Sequence, residues 1–201
     1  MMRGHWFGIV LVAVLAAGAG YPAALAGAQI SIPPGTPALL EPAVVTTCGQ
    51  SPGALMVKVM CDEAKVECEQ QDLLKAADLA AGRYKTLIVT MGTSLKGMGA
   101  AGVNADSEVR RTQAVLAEAH RLKMVIVGVQ LEGPSRRTDQ TDEASIRAVT
   151  PESTLLIIRS DVNGDGYFTK VAADKKIPLI LIKEALDVKA LLPVLFKKTA
   201  R

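Results

Sequence analysis

Residues 124–131 read MVIVGVQL, an almost unbroken apolar run. A strand with one face in water would alternate apolar and polar residues, and this run does not. Continuous apolar strands rich in valine and isoleucine are typical of a parallel sheet that helices cover on both faces. Four more runs share the pattern: AVVTT from residue 43, TLIVTM from 86, TLLIIRS from 154 and PLILI from 178. The sequence therefore predicts a mostly parallel sheet of about five strands.

Amphipathic helices are predicted between these strands. The clearest spans residues 107–123, where Val109, Leu116 and Ala119 recur at helical spacing behind Asn104, a favoured residue type at helix amino termini. Other helices are predicted at residues 52–62, 71–80, 141–149, 167–174 and 184–196. Strands and helices that alternate in this way indicate a doubly wound three-layer α/β sandwich, of flavodoxin-like or Rossmann-like kind, with right-handed crossovers.

The amino terminus has the pattern of a Sec-type signal peptide. Arg3 precedes an apolar run over residues 6–19, which is shorter than the roughly 20 residues of a membrane span. Ala26 and Ala28 each close an A-x-A cleavage site. We expect export to the periplasm or the extracellular space, with no membrane span after cleavage; an uncleaved anchor is the alternative.

These signals divide the chain into three parts. Residues 1–28 are the predicted signal peptide, residues 29–42 a tether with four prolines, and residues 43–201 a single α/β domain.

The net charge of the chain is small. Cleavage of the signal peptide removes Arg3, which leaves 22 of the 23 basic groups against 20 acidic ones, a net charge of about +2. Because the chain is nearly neutral and has only three Phe, three Tyr and one Trp, we expect no nucleic-acid partner.

The three cysteines raise the question of a disulfide, because the protein is expected to be exported. On one continuous helix Cys61 and Cys68 would lie about 10 Å apart, which exceeds the roughly 7 Å that a disulfide allows between Cα atoms. A helix end between the two residues would permit a bridge, and the sequence leaves a disulfide and two free thiols as alternatives. Cys48 is interpreted as a small residue in a turn, with a free thiol near a site as the alternative.

Ligands of open α/β sheets bind beyond the carboxyl ends of the strands. The loops predicted at that edge are small, polar or charged, and three cations lie in them beside hydroxyls and helix amino termini that favour negative charge. We therefore expect a small anionic ligand there. The candidate ligand-binding residues are Gln50, Ser51, Thr93, Ser94, Lys96, Arg136, Arg137 and Asp161. The alternative is that these loops have this composition for turn formation alone.

Residues 160–166, SDVNGDG, resemble the opening of a calcium loop, with Asp161, Asn163 and Asp165 at the ligand spacing. A twelve-residue loop that starts at Asp161 needs an acidic ligand at its end, where this chain has Ala172. We therefore interpret the stretch as a turn that leads into a helix and expect no metal, with calcium as a weak alternative.

The stretch GMGAAG, residues 97–102, matches the dinucleotide pattern G-x-G-x-x-G. That pattern should follow its strand directly, but residues 92–96 intervene. We interpret the stretch as a flexible loop that could cover the crevice, and we expect no cofactor.

Catalysis is disfavoured by the residue types available. The only histidine outside the signal peptide is His120, inside a predicted helix and far from the strand ends. The remaining enzymatic hypothesis uses Ser51 or Ser94 with Lys96 as base. The other alternative is a protein-interaction module of an envelope complex, docking through a helix face or the tether.

Four pieces of the chain together resemble a family of small exported bacterial domains of unknown function. They are TTCGQSPGALMVKVM (46–60), YKTLIVTMGTSLKGMGAAGV (84–103), GPSRRTD (133–139) and DVNGDGYFTKVAADKKIPLILI (161–182). The resemblance covers residues 43–193. It implies a Rossmann-like or flavodoxin-like fold and export, and it carries no substrate, cofactor or catalytic residue.

Overall fold

The computed structural model describes residues 30–80 and 82–196, so the predicted signal peptide lies outside the described residues. Within that range no helix combines the length and the apolar composition needed to cross a membrane. The strands are β1 (Ala43–Cys48), β2 (Cys68–Gln70), β3 (Thr86–Met91), β4 (Val125–Gln130), β5 (Leu155–Arg159) and β6 (Leu179–Ile182). The helices are α1 (Gly53–Glu63), α2 (Ala76–Leu79), α3 (Leu95–Ala101), α4 (Ala105–Arg121), α5 (Gln140–Val149), α6 (Tyr167–Lys175) and α7 (Asp187–Leu195).

The strands form one sheet of six strands in the order β2-β1-β3-β4-β5-β6, and every pair is parallel. The chain runs from β1 to one edge of the sheet at β2 and then crosses to β3 on the other side of β1. The carboxyl ends of β1 and β3 therefore flank the topological switch point, where doubly wound sheets bind their ligands. The predicted α/β fold is confirmed.

Both faces of the sheet are buried, which explains the lack of alternation in the strands. Helices α1 and α7 pack on one face, against strand residues such as Val45 and Ile88. Helices α2, α4, α5 and α6 pack on the other face, against Val44, Leu87 and Val89. Neighbouring residues of one strand thus enter different cores, and apolar side chains are required at each of them.

Three local predictions are corrected. β2 was not predicted, and only Ala76–Leu79 of the predicted helix 71–80 is helical. The stretch 97–102 is not a flexible loop, because it lies in α3 and its carboxyl cap. The Ser94 hydroxyl accepts a hydrogen bond from the Gly97 N–H at 3.1 Å, and Gly102 ends the helix at φ 68°.

The end of the proline-rich tether is part of the core. Residues 30–42 contain no helix and no ladder strand, but Leu39 is only 1% exposed. Its N–H donates to the Leu195 carbonyl at 2.9 Å, and Leu39 pairs with Phe196 in an isolated parallel bridge. The segment before β1 therefore closes one end of the core against α7.

We expect Leu39→Ala to lower the free energy of unfolding by about 2–4 kcal/mol, because it opens a cavity in the core. Leu40→Ala is the matched control, because the neighbouring Leu40 side chain is 39% exposed, and it should cost less than about 1 kcal/mol. Urea unfolding of both variants measures the difference. A loss for Leu39→Ala as small as that for Leu40→Ala would mean that Leu39 does not support the core.

Candidate functional site

The loops after β1 and β3 are joined directly to each other at the switch point. The Ser94 N–H donates to the Gly49 carbonyl at 2.8 Å, and Gln50 pairs with Thr93 in an antiparallel bridge. Helix α3 lies directly on the first loop, since a Cβ on Gly97 would come within 2.1 Å of the Gln50 carbonyl oxygen. Only glycine permits this approach. The crevice is therefore covered by α3.

A buried ion pair on α4 supports the loop after β1. Glu108, which is 1% exposed, accepts hydrogen bonds from the Gly49 N–H at 3.0 Å and from Gln50 Nε2 at 2.8 Å. Arg111 binds both oxygens of the same carboxylate, at 3.0 Å through Nε and 2.9 Å through Nη2. Its guanidinium also donates to the carbonyls of Thr47 and Leu74. One pair thus connects α4, the end of β1 and the segment after β2.

The Glu108 carboxylate is held in its charged form. Burial favours the neutral acid, but the hydrogen bonds from Arg111, Gln50 and the Gly49 N–H outweigh it and lower the pKa of Glu108 below its ordinary value of 4.5. A lowered pKa stabilises the fold above the ordinary value, and this contribution is lost as the pH falls through the folded-state value. The loop after β1 therefore depends on an ionised Glu108.

Arg136 is already bound within the protein. Its Nε contacts Glu132 at 3.1 Å and its Nη1 donates to the Thr93 carbonyl at 2.9 Å. The other oxygen of Glu132 accepts a hydrogen bond from the Gly53 N–H at 3.0 Å, at the first turn of α1. The amino terminus of α1 thus has an internal carboxylate where the sequence predicted a ligand.

Arg137 is also bound, on the opposite side of the same loop. It contacts Glu143 at 2.6 Å and both oxygens of Asp165 at 2.8 and 2.9 Å, and it lies over the rings of Tyr167 and Phe168. Burial disfavours its charge, but these carboxylates raise the pKa of Arg137 above its usual value. Arg137 therefore fixes the loop after β5 to α5.

Thr93 is held by a buried carboxylate from α5. Its N–H and hydroxyl donate to one oxygen of Asp142 at 2.8 and 2.7 Å. The Ser145 hydroxyl accepts from the Gly92 N–H at 3.0 Å and donates to the Cys48 carbonyl. The polar groups of the loop after β3 are thus satisfied inside the protein.

Sequence reasoning missed Glu108, Asp142 and Ser145, although a signal was present. Glu108 shares a buried helical stripe with Thr112, Val115 and Ala119, and Asp142 and Ser145 begin the stripe that continues through Ile146 and Val149. A charged residue on the apolar side of a helix must find buried partners. The loops that supply those partners could not be deduced from spacing alone.

Two of the predicted residues keep free polar groups. Ser51 is 5% exposed, and its buried hydroxyl has no hydrogen-bond partner among the described residues. Lys96 is exposed and makes no hydrogen bond or ion pair with any residue of 30–80 or 82–196. Ser94 caps α3, as described above. Neither serine hydrogen-bonds to Lys96 in this part of the chain, so the structure does not show an assembled serine–lysine pair.

The oxygens of the SDVNGDG turn have separate protein partners. Asp161 pairs with Arg159 at 2.5 Å, the Asn163 side-chain oxygen accepts from the Phe168 N–H at 3.1 Å, and Asp165 binds Arg137. Asp165 also accepts from the Tyr167 N–H at 3.1 Å, at the start of α6. No group of three or more His, Cys, Asp or Glu that could hold a metal ion occurs among the residues described.

The cysteines are buried and carry free thiols. Helix α1 ends at Glu63, so the predicted helix end between Cys61 and Cys68 is confirmed. Cys48 is the last residue of β1 and not a turn residue, and burial raises the pKa of its thiol. Raised pKa disfavours the thiolate, so Cys48 is a poor nucleophile.

Fold and site define a doubly wound α/β domain whose switch point is largely hydrogen-bonded to itself. The chain belongs to the family described as Domain of unknown function (DUF6305), whose model matches residues 40–196. No curated protein matches the chain.

Several solved structures align with this chain at low scores. The psychrotrophic esterase EstA from Pseudoalteromonas sp. has a TM-score of 0.31 at 8% identity, over 69% of this chain and 76% of the esterase. TesA has a TM-score of 0.32 at 14% identity, over 73% and 80%. A GDP-L-fucose synthetase from Naegleria fowleri bound to NADP has 0.33 at 12%, over 78% and 53%. Similarity at this level transfers no activity to this chain.

We expect Glu108→Gln to lower the free energy of unfolding by about 3–5 kcal/mol at pH 7, because it leaves the largely buried Arg111 guanidinium, 13% exposed, without its carboxylate. Glu118→Gln is the matched control, since Glu118 pairs with Arg121 at the same i, i+3 spacing on the same helix, with Arg121 exposed. It should cost about 1 kcal/mol or less.

Urea unfolding at several pH values checks this assignment. The difference between the native protein and Glu108→Gln should shrink below about pH 4.5, the ordinary pKa, because protonation then removes the same charge. A difference that is independent of pH would show that the charge of Glu108 does not support the loop.

Proposed function

We propose that this protein is an exported, non-enzymatic domain that binds a small anionic molecule at the switch point, through Ser51 and Lys96. The observation that carries the proposal is the buried Ser51 hydroxyl, which has no hydrogen-bond partner among the described residues. Buried polar groups in folded proteins are nearly always hydrogen-bonded, and one that is not requires an explanation. A ligand oxygen would complete it.

The position of Ser51 supports this interpretation. It follows β1 and directly precedes Pro52, the cap of α1, so it lies in the loop at which ligands of doubly wound sheets bind. The preceding residue, Gln50, has a positive φ of 57°. Non-glycine residues in this region cost about 1–3 kcal/mol and cluster at functional sites.

The charges at this edge favour a ligand with one charged group. Arg111, Arg136 and Arg137 are each paired with a carboxylate, and Glu132 already occupies the amino terminus of α1. Lys96 is the one member of the three predicted cations that has no partner within the described residues. A single ammonium group matches a monocarboxylate or another small monoanion better than a nucleotide, which carries several negative charges.

The ligand must enter past α3. Ser51 is 5% exposed, and α3 lies on the neighbouring Gln50 through Gly97. Helix α3 has seven residues, including Gly97 and Gly99, and short helices with glycines have low intrinsic stability. We therefore propose that α3 moves away from the loop to admit the ligand and that Lys96, one residue before Gly97, moves with it.

Thermal unfolding with acetate, lactate, phosphate and sulfate tests this proposal on the exported protein, whose first residue we expect to be Gly27 or Gln29. A ligand at about 100 times its dissociation constant adds roughly 2.7 kcal/mol, which raises the melting temperature by several degrees. We expect the largest rise with a monocarboxylate. Ser51→Ala and Lys96→Gln should each remove most of it.

Lys85→Gln is the matched control, because Lys85 and Lys96 are exposed residues that flank opposite ends of β3. The ligand should raise the melting temperature of Lys85→Gln by as much as it raises that of the unmodified protein. Without ligand, Ser51→Ala should not be destabilised, because the hydroxyl that it removes has no hydrogen-bond partner in residues 30–80 and 82–196. A rise that persists in both Ser51→Ala and Lys96→Gln would refute the site, and no rise with any anion would refute the function.

A protein-interaction module is the second candidate, and the solvent side of α1 favours it. Leu55 and Val59 are 54% and 47% exposed and lie one helical turn apart, which gives an apolar strip on the surface. Such a strip on an exported domain would suit docking onto an envelope complex.

If α1 docks onto a partner, chemical cross-linking of the exported protein should give a larger product in the native envelope, and Leu55→Ser with Val59→Ser should remove it. Val194→Ser is the control, since Val194 is 63% exposed on α7. A product that is the same size as the monomer in every sample would count against docking.

A further inference from the structure

The chain brings Cys61 and Cys68 together at the turn between α1 and β2. Helix α1 ends two residues after Cys61, Lys65 adopts a left-handed φ of 56°, and the Val66 N–H donates to the Cys61 carbonyl at 2.9 Å. Cys68 is then the first residue of β2. Both cysteines are buried, and both belong to the core under α1 and α7.

The third cysteine is separated from this pair by the sheet. Cys61 and Cys68 lie in the core under α1 and α7, whereas Cys48 lies in the core on the opposite face. Any intramolecular disulfide of the folded chain is thus restricted to one pairing. The exposed fractions are 0% for Cys61 and 8% for Cys68, so both residues are buried and Cys68 is the nearer of the two to solvent.

We propose that Cys61 and Cys68 are a redox site, which a disulfide-bearing oxidant such as glutathione disulfide converts into an intramolecular disulfide. The Cys68 thiolate attacks one sulfur of the oxidant, forms a mixed disulfide and releases one glutathione thiolate. Cys61 then loses its proton, and its sulfur attacks the Cys68 sulfur, closes the bridge and releases the second glutathione thiolate. Because its neighbour Cys68 and burial raise the pKa of the Cys61 thiol, this second step is the slow one. The two protons lost by the cysteines pass to the two glutathione thiolates, so the protein loses two electrons and the oxidant gains them.

The bridge fixes the carboxyl end of α1 to the edge strand β2. It closes a short loop, residues 61–68, and so restricts the unfolded chain more than the folded one. The cysteine pair lies at the carboxyl end of α1 and the proposed ligand site at its amino end, so this redox site does not depend on the proposed ligand. It chooses the disulfide among the alternatives that the sequence left open for these two cysteines.

The test is oxidation of the full chain with glutathione disulfide, followed by alkylation of the remaining thiols in denaturant and mass measurement. We expect one alkylated cysteine, Cys48, and a mass loss of about 2 Da before alkylation. The melting temperature should rise by about 5 °C, and dithiothreitol should reverse the rise. Three alkylated cysteines would overturn the proposal.

Digestion with trypsin gives a readout that needs no variant. Cleavage after Lys58, Lys65 and Lys75 separates Cys61 and Cys68 into the peptides 59–65 and 66–75. The oxidised protein should yield these two peptides joined, and reduction should separate them. Peptides that carry glutathione on Cys68 but are not joined, or a bridge that includes Cys48, would overturn the proposal.

Two variants complete the design. Cys48→Ala should keep the joined peptides and the reversible rise in melting temperature. Cys68→Ala, which retains the buried Cys61, should lose both, and its reduced melting temperature shows whether it folds. Loss of the joined peptides in Cys48→Ala would contradict the assigned pairing.

Discussion

The buried ion pair between Glu108 and Arg111 is the interaction on which the switch point depends. Removing two charges from water is costly, and the pair is tolerated because nearly every polar atom of both groups is hydrogen-bonded. Arg111 suits this position better than lysine would, because its planar guanidinium reaches the carboxylate and the carbonyls of Thr47 and Leu74 at once. The pair therefore defines the path of the loop after β1.

The same arrangement changes how the polar residues at this edge are interpreted. In the sequence, Arg136 and Arg137 look like free cations beside hydroxyl groups. In the fold, Glu132 of the same loop pairs with Arg136, and Glu143 of α5 and Asp165 of the loop after β5 pair with Arg137. A count of basic residues in the loops thus overstates the positive charge that a ligand would meet. The site that we propose is therefore smaller, with the buried Ser51 hydroxyl and the exposed Lys96 ammonium group.

The parts that could be predicted from sequence are those whose burial is enforced on both sides. The five long strands lie between two layers of helices, so their apolar runs are unbroken, and α4 carries its own cap at Asn104. β2 has three residues at the edge of the sheet and gives no such signal. Helix α3 was missed because its glycines oppose helix formation, while the cap at Ser94 and the contact of Gly97 with Gln50 stabilise it. The pairing of Arg137 with Asp165, and the bonds of Glu108 and Arg111 to the loop after β1, depend on tertiary contacts that no local pattern encodes.

Helix α1 extends from the proposed ligand site at its amino terminus to the cysteine pair at its carboxyl end. Glu132 binds its amino terminus next to Ser51, and its carboxyl end carries Cys61, which shares a core with Cys68. Its inner side is buried against the sheet through Ala54, Val57 and Met60. A helix held in all three ways cannot swing outward to open the crevice without breaking core contacts. Helix α3 has a single buried side chain, Met98, so a movement that exposes Ser51 would break fewer core contacts in α3 than in α1. Under the proposed function, access to the hydroxyl is set by this less anchored helix, and a bridge between Cys61 and Cys68 would strengthen that asymmetry.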